Sequence, residues 1–321
     1  MHDYISTYPS PAKPHVDGVL PPESVVSHIH HLVVPKFIRI FAPKNNNKIR
    51  MNNADFWKSI NEVIADGFTS EGLQKLDHYA ELFINGRLVY KRFSPFEQHG
   101  CAAGGTTHVV ASLLAGAETA PDRDAAPDGN DFKRELQRGA QQADRIERWA
   151  RAVGCWTERI DDSLPKMLGD QIAEGGEAVV YDHGATLVKA IGLDYFIQPL
   201  LALDRISLHN AYFPETTLTV LGFGRTADGD FKVIVEQPFI EGLHMTDEEI
   251  AEYMSKMGFG LINPRNWTYA TPEIYLSDMH DENVLRSSTG TVFVVDCDIR
   301  INTPDLRAGG TRTLTTEVEI T

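Results

Sequence analysis

The chain has 321 residues, long enough for two domains that each bury a core, and its 42 % hydrophobic and 23 % charged residues are the balance of a globular protein. A formal net charge of -15 argues against a nucleic-acid backbone or an anionic membrane surface as the main partner. Cys101, Cys155 and Cys297 stand far apart with no C-x-x-C pair, so neither a disulfide framework nor a zinc ribbon is indicated.

Residues 1–54 form an N-terminal extension rich in Pro and Asn, and Pro35 and Pro43 confine its one apolar stretch, "HHLVVPKFIRIFAP", to an edge strand or a docking segment. Residues 1–20 show no basic-then-apolar leader, and no run approaches the roughly 18 apolar residues of a membrane span, so a cytoplasmic chain without membrane insertion is expected. The "HIHH" at 28–31 reads as solvated histidines, because successive side chains on a strand point to opposite faces.

From Asp55 to His78 the spacing of Phe56, Ile60, Val63 and Ile64 predicts a helix that stops at Gly67, with a second starting at Ser70. In "FEQHGCAAGGTTHVVASLLAGAE" two readings compete with a plain one. Cys101 with His99 or His108 is the composition of a thiol-imidazole pair, and Gly104-Gly105 that of a phosphate loop. The plain reading, a Gly turn entering an Ala-rich buried helix with His108 satisfied at its start, is preferred. Residues 118–131 combine Pro, Gly and acid as a solvated linker. The helix that follows has Leu136, Ala140, Ile146 and Trp149 as its apolar stripe, and closes a mainly helical accessory region over 55–155.

Beyond Leu168 the texture turns to strands. Turns are expected at Asp182 to Gly184 and at Asp228-Gly229, each between β-branched runs. The apolar stretch 193–213 between these hairpins suits a helix packed on a sheet and kinked or divided at Pro199. Thr246-x-x-Glu249 is a capping box opening an amphipathic helix.

The stretch "YLSDMHDENVLRSSTGTVFVVDCD" carries the chemistry. Two short apolar runs around "RSSTG" predict an antiparallel hairpin over 284–295, which would make neighbours of Asn283 and Asp296. Their oxygens are hard ligands suited to Mg²⁺, which takes few carboxylates and leaves its other positions to water and phosphate. Asp278, five residues before Asn283, stands where a general base or hydroxyl-orienting group serves phosphoryl transfer, with its carboxylate free.

The spacing D-x4-N-x12-D resembles the catalytic-loop Asp, metal Asn and metal Asp of protein kinases. Upstream, "AEGGEAVVY" resembles a short phosphate loop, with Gly175, Gly176 and Ala178 at the nucleotide, and Lys189 stands where a kinase places the Lys that contacts the α- and β-phosphates. "VIVEQPFIEG" looks like the last small-lobe strand entering a hinge, where backbone groups of about Glu236 to Phe239 would pair with adenine. Residues 165–303 thus resemble the protein-kinase-like superfamily, most closely the kinase domain of polyvalent proteins from phages and mobile elements. The resemblance implies an α+β, bilobal protein-kinase-like fold over 156–321, with a small lobe to about 240 and a minimal large lobe. It also implies ATP and Mg²⁺ as cofactors and a protein or small-molecule hydroxyl as phosphate acceptor.

Several departures stand beside the likeness. The helix after Leu193 has no Glu to pair with Lys189, so the expected ion pair uses Asp194 or Asp204 or is missing. Leu276 and Ser277 replace the His-Arg of H-R-D, and Cys297-Asp298 replaces Phe-Gly, with Asp298 a further candidate ligand and His280 a candidate support for Asp278. A catalytically silent nucleotide-binding module is therefore the alternative to an active kinase, and a cysteine-dependent hydrolase over 55–118 is a third reading.

Overall fold

The computed structural model describes residues 53–84, 104–117, 131–193 and 196–302. The expectations for the 28–43 segment, His99, Cys101, the linker 118–130 and Asp194 fall outside these residues.

Two helices form at the start, α1 (Asn53–Ala65) and α2 (Ser70–Ile84). They part at Gly67, whose φ of +70° lies in the left-handed region that a residue without Cβ enters at little cost. Phe56, Ile60 and Val63 are buried as their spacing predicts. Helix α3 (Gly105–Gly116) is apolar nearly all round and is accordingly an interior helix. His108 is fully buried on it with Nε2 2.7 Å from Ser207 Oγ, while its Nδ1 has no hydrogen-bond partner among the described residues, so the satisfied His108 of the plain reading holds for one ring nitrogen only.

Helix α4 (Asp131–Val153) corrects the expected stripe. Ile146 and Trp149 are buried, but Leu136 is 47 % exposed and Ala140 is exposed. Packing begins only at Gly139, where an added Cβ would lie 2.2 Å from the Ile197 carbonyl. One turn on, Gln142 accepts from Leu200 N–H at 3.0 Å and donates to Gln198 Oε1 at 3.0 Å. Ahead of Gly139 the apolar Phe132 and Leu136 face outward, 63 % and 47 % exposed.

A six-stranded sheet follows, made of β1 (Trp156–Thr157), β2 (Gln171–Glu174), β3 (Ala178–His183), β4 (Thr186–Ile191), β5 (Thr219–Arg225) and β6 (Phe231–Pro238) in the order β1-β5-β6-β4-β3-β2. Only β1 runs parallel to its neighbour. The turns at Asp182 to Gly184 and Asp228-Gly229 join β3 to β4 and β5 to β6, and Gly184 and Gly229 both take positive φ. Helix α5 (Ile160–Leu168) covers one face through Ile160 and Leu164 against Tyr181, Val188, Ala190 and Ile234.

Helix α6 (Pro199–Tyr212) covers the other face. Pro199 neither kinks nor divides it but opens it, because the first helical position has no intrahelical use for an N–H. Leu200, Leu203 and Ile206 join Val220, Phe223, Val233 and Val235 in one cluster with Phe56, Leu76, Val110 and Ile146. The described helices before residue 155 and the sheet therefore share a core.

The chain then builds a second cluster, from α7 (Asp247–Lys256) and seven short strands: β7 (Leu243–His244), β8 (Gly260–Asn263), β9 (Thr268–Ala270), β10 (Ile274–Ser277), β11 (Val284–Arg286), β12 (Val292–Val294) and β13 (Asp298–Ile301). They form a sheet in the order β13-β10-β9-β8 and another in the order β12-β11-β7. Both halves of the Thr246/Glu249 capping box are made, so α7 starts where the sequence signal placed it. No described helix is long and apolar enough to cross a membrane.

The burial of His108 has a thermodynamic consequence. Desolvation lowers its pKa to about 4, below the ordinary 6.5, so the unfolded chain binds a proton that the folded chain refuses. The stability this confers is complete above pH 6.5 and is lost as pH falls toward 4. Between pH 7 and pH 5 the chain should lose about 2 kcal/mol more than a His108→Gln variant, read from denaturant midpoints at the two pH values. Equal pH slopes for the two chains would show that His108 does not carry this dependence.

Candidate functional site

The residues of the "DMHDEN" loop and of the hairpin alternate between core and solvent. Met279, Val284, Val294, Cys297 and Ile299 are buried in the second cluster, whereas Asp278 and Asp296 between them stay at the rim. Burying the apolar members leaves these carboxylates on the solvent side. Strands β11 and β12 pair as predicted, with Ser287 N–H donating to Thr291 O at 2.9 Å across the turn.

The register differs by one residue from the expectation. Val284 lies opposite Val294, and Val295 N–H donates to Asn283 O at 2.9 Å, so Val295 and not Asp296 faces Asn283. The turn takes five residues, 287–291, which shifts the pairing. Asp296 follows where β12 has ended.

Two groups result, joined through Val295. In the first, Asn283 Nδ2 donates to the Asp278 backbone carbonyl at 2.9 Å and to Asp278 Oδ2 at 3.2 Å. His280 Nε2 lies 3.0 Å from Asn283 Nδ2 and 3.5 Å from Asp278 Oδ1, with its ring edge-on to Trp267. The Asp278 carboxylate is therefore not free as expected, since it is held by its neighbours, yet it stays 60 % exposed. Its φ is +65°, a left-handed conformation that Asp tolerates better than most residues and that gathers at functional sites.

In the second group, Lys189 on β4 reaches across 106 residues of chain to donate to the Val295 carbonyl at 3.4 Å. That carbonyl also accepts from Gln237 Nε2 at 2.9 Å. Asp296 Oδ1 accepts from Cys297 N–H at 2.9 Å and from Arg205 Nη2 at 3.1 Å. Burial pushes the Asp296 pKa up, but the Lys189 ammonium and the Arg205 guanidinium outweigh it and hold the carboxyl below its ordinary value. The side chain is still 51 % accessible, so a carboxylate crowded by protein on several sides opens to solvent on one.

Arg205 escaped the sequence reading. It stands on α6, 12 % exposed, and bridges Asp296 to Glu177 of the glycine-rich turn, while its Nε donates to the Cys297 carbonyl at 2.8 Å. Its charge lies over the Phe196 ring at 5.3 Å. Of the two acids considered for Lys189, Asp194 is outside the described residues and Asp204 is buried within α6. A signal for Arg205 existed, because a helix apolar enough to be buried nearly all round cannot carry a cation without acidic partners nearby.

Gly175 N–H donates to the Ala178 carbonyl at 2.9 Å to close the turn between β2 and β3, and Ala178 begins β3 opposite Ile191. Space beside Gly175 is open, since an added Cβ would meet only the Ala178 carbonyl at 4.0 Å. The expected hinge needs correction. Strand β6 is central, so Glu236 is paired with Val188 on one side and Thr219 on the other, which leaves no edge there for a base. By strand alternation its side chain lies on the face opposite Lys189, where its carboxylate accepts from Thr186 Oγ1 at 2.9 Å beside His183. Phe239, the first residue past β6, has its N–H likewise committed, to Ala185 O at 3.0 Å, which leaves residues 240–242 before β7.

A buried polar network behind the site was also not foreseen. Thr216 Oγ1 donates to Val294 O at 2.6 Å, Gln237 Nε2 donates to Thr216 O at 3.0 Å, and His209 Nε2 lies 3.1 Å from the same oxygen. These contacts tie α6 and β6 to β12 directly behind Val295.

The donor set for Mg²⁺ can be tested against these contacts. Both hydrogen bonds to Asp296 fall on Oδ1, which leaves Oδ2, and the Asn283 amide turns its nitrogen to Asp278, which leaves its oxygen. One carboxylate and one amide oxygen, on side chains that are exposed or half-buried, fit an ion that fills its other positions with water and phosphate. Asp298 does not add to the set, because Arg300 grips both its oxygens. Among the described residues no group of three or more His, Cys, Asp or Glu could hold a metal ion unaided.

Comparison with known families matches residues 139–303, from within α4 to just beyond β13, to the family described as serine/threonine/tyrosine kinase found in polyvalent proteins. No curated protein matches the chain.

Proposed function

We propose, from the premise that this chain belongs to the family of serine/threonine/tyrosine kinases found in polyvalent proteins, that it is an ATP- and Mg²⁺-dependent phosphotransferase to a protein or small-molecule hydroxyl. In this reading the six-stranded sheet with α6 is the small lobe, and α7 with the two small sheets is a reduced large lobe. The observation that carries it is the reach of Lys189 to the carbonyl of Val295, which joins the phosphate-binding Lys to the residue between the Asn283 and Asp296 groups.

Lys189 would neutralise the α- and β-phosphates, and the turn at Gly175, Gly176 and Ala178 would let the backbone approach them. Asn283 through its amide oxygen and Asp296 through Oδ2 would hold Mg²⁺, which when bound supplies charge compensation to the phosphate oxygens. Asp278 would orient the acceptor hydroxyl and take its proton as the phosphoryl group leaves ADP, while Asn283 holds the Asp278 loop in place. Adenine contacts would fall to residues 240–242, past the end of β6.

A second reading, nucleotide binding without turnover, is favoured by the Arg205 contact to Asp296 and by the bonds already made to the Asp278 carboxylate. Both readings require nucleotide binding. Titration of the full chain with ATP and Mg²⁺ should raise its melting temperature, by an increment that EDTA removes. A melting temperature indifferent to ATP, with or without Mg²⁺, would reject both.

A further inference from the structure

The contacts of Arg205 lead beyond the general kinase reading, on which the following rests. Protein kinases hold two Mg²⁺ ions with the metal Asp and the catalytic-loop Asn. To serve two ions the Asp must offer both carboxylate oxygens. Here Oδ1 of Asp296 already accepts from Arg205 Nη2 at 3.1 Å and from Cys297 N–H at 2.9 Å. We propose that Arg205 is a resident cation that occupies the place of a second metal ion, so that the site takes one divalent ion and no more.

Four features keep the guanidinium there. Its Nε is bound to the Cys297 carbonyl at 2.8 Å, its Nη1 pairs with Glu177, its charge lies over the Phe196 ring, and only 12 % of the side chain is exposed. Helix α6 beneath it is fastened at two further points, through Gln142 to Leu200 N–H and through His108 to Ser207. A guanidinium does not lose its proton in a protein, so unlike a metal ion this charge cannot be diluted away. Lys189 adds a second cation close to the same carboxylate.

The acids that a second ion would need are otherwise engaged. Arg300 holds Asp298, Glu177 faces Arg205, and no group of three or more His, Cys, Asp or Glu among the described residues could hold a metal ion. The fixed cation has a second effect. Because Arg205 spans Glu177 and Asp296, it fastens the glycine-rich turn to the metal-binding carboxylate. In that sense it is a positioning residue as well as a counter-charge.

The test is a count of bound Mn²⁺ by electron paramagnetic resonance on the full chain with a non-hydrolysable ATP analogue. The wild type should hold a single ion per bound analogue, Arg205→Lys should hold the same number, and Arg205→Met should hold a second. Two ions on the wild type, or one on a folded Arg205→Met chain, would overturn the proposal and leave the kinase reading standing. Should Arg205→Met not fold, the wild type still decides. Its analogue affinity should stay flat as free Mg²⁺ rises beyond saturation of the nucleotide, and a second rise would overturn the proposal. A wild type that binds no Mn²⁺ with the analogue removes the kinase reading and this inference together.

Discussion

Asp278→Asn should bind ATP and Mg²⁺ as the wild type does and transfer phosphate about 10²- to 10⁴-fold more slowly, the range that one general base carries. The substitution isolates chemistry from folding. Asp278 is 60 % exposed and sits at φ +65°, a conformation Asn accepts as readily as Asp, and an amide of the same size fills the same space. Asn lacks the carboxylate that would take the hydroxyl proton. Asp278→Ala is a poorer probe, because a Cβ-bearing residue without a side-chain partner at positive φ adds about 1–2 kcal/mol of backbone strain. The measurement is single-turnover transfer from γ-labelled ATP, either to the chain itself or to hydroxyl acceptors. Equal rates for wild type and variant would remove Asp278 from the reaction. Nucleotide binding with no transfer by the wild type would establish the silent module instead.

Asp296→Asn should abolish the metal-dependent part of nucleotide affinity, a loss exceeding the roughly 10- to 100-fold that even outer-sphere partners of a metal contribute. An amide offers one weaker oxygen where the carboxylate offers charge, and Arg205 and Lys189 would then face each other with less negative charge between them. The sign in the absence of metal is the informative part. With EDTA present the variant should bind ATP at least as well as the wild type, since two cations that had been neutralised become available to the triphosphate. Calorimetric titrations with Mg²⁺ and with EDTA check both halves. An unchanged Mg²⁺ dependence would show that the ion is held elsewhere.

The hairpins at 178–191 and 219–238 and the capped helix at 247 were legible in the chain because each is specified by residues a few positions apart: β-branched runs around Asp-Gly or Asp-x-Gly, and Thr246 with Glu249. The order of a glycine-rich turn, a strand Lys, a helix, a further hairpin and an Asp-Asn-Asp set was equally readable, and the family it suggested is the one whose model matches residues 139–303. Less legible was which apolar residues of α4 are inside. Leu136 and Ala140 continue the helical period but are exposed, whereas Gly139 between them meets Ile197, and periodicity carries no information on which side a partner packs. The one-residue offset of the 284–295 hairpin has a similar origin. Turn length sets register, and "RSSTG" is compatible with more than one length.

By itself, then, the amino-acid order determined what closes over short range: helix ends, tight turns, and the presence of one Lys, one Asn and two Asp at kinase-like spacing. Tertiary structure alone decided that Arg205, 91 positions from Asp296, hydrogen-bonds to Oδ1 of its carboxylate. It also decided that Glu236 lies in a central strand with its side chain away from Lys189, and that the helices before residue 155 build one core with the sheet. The reason is the same in each case. A side chain's charge and shape are written locally, but the partner that neutralises or buries it comes from wherever the chain returns, and that is settled by packing the whole.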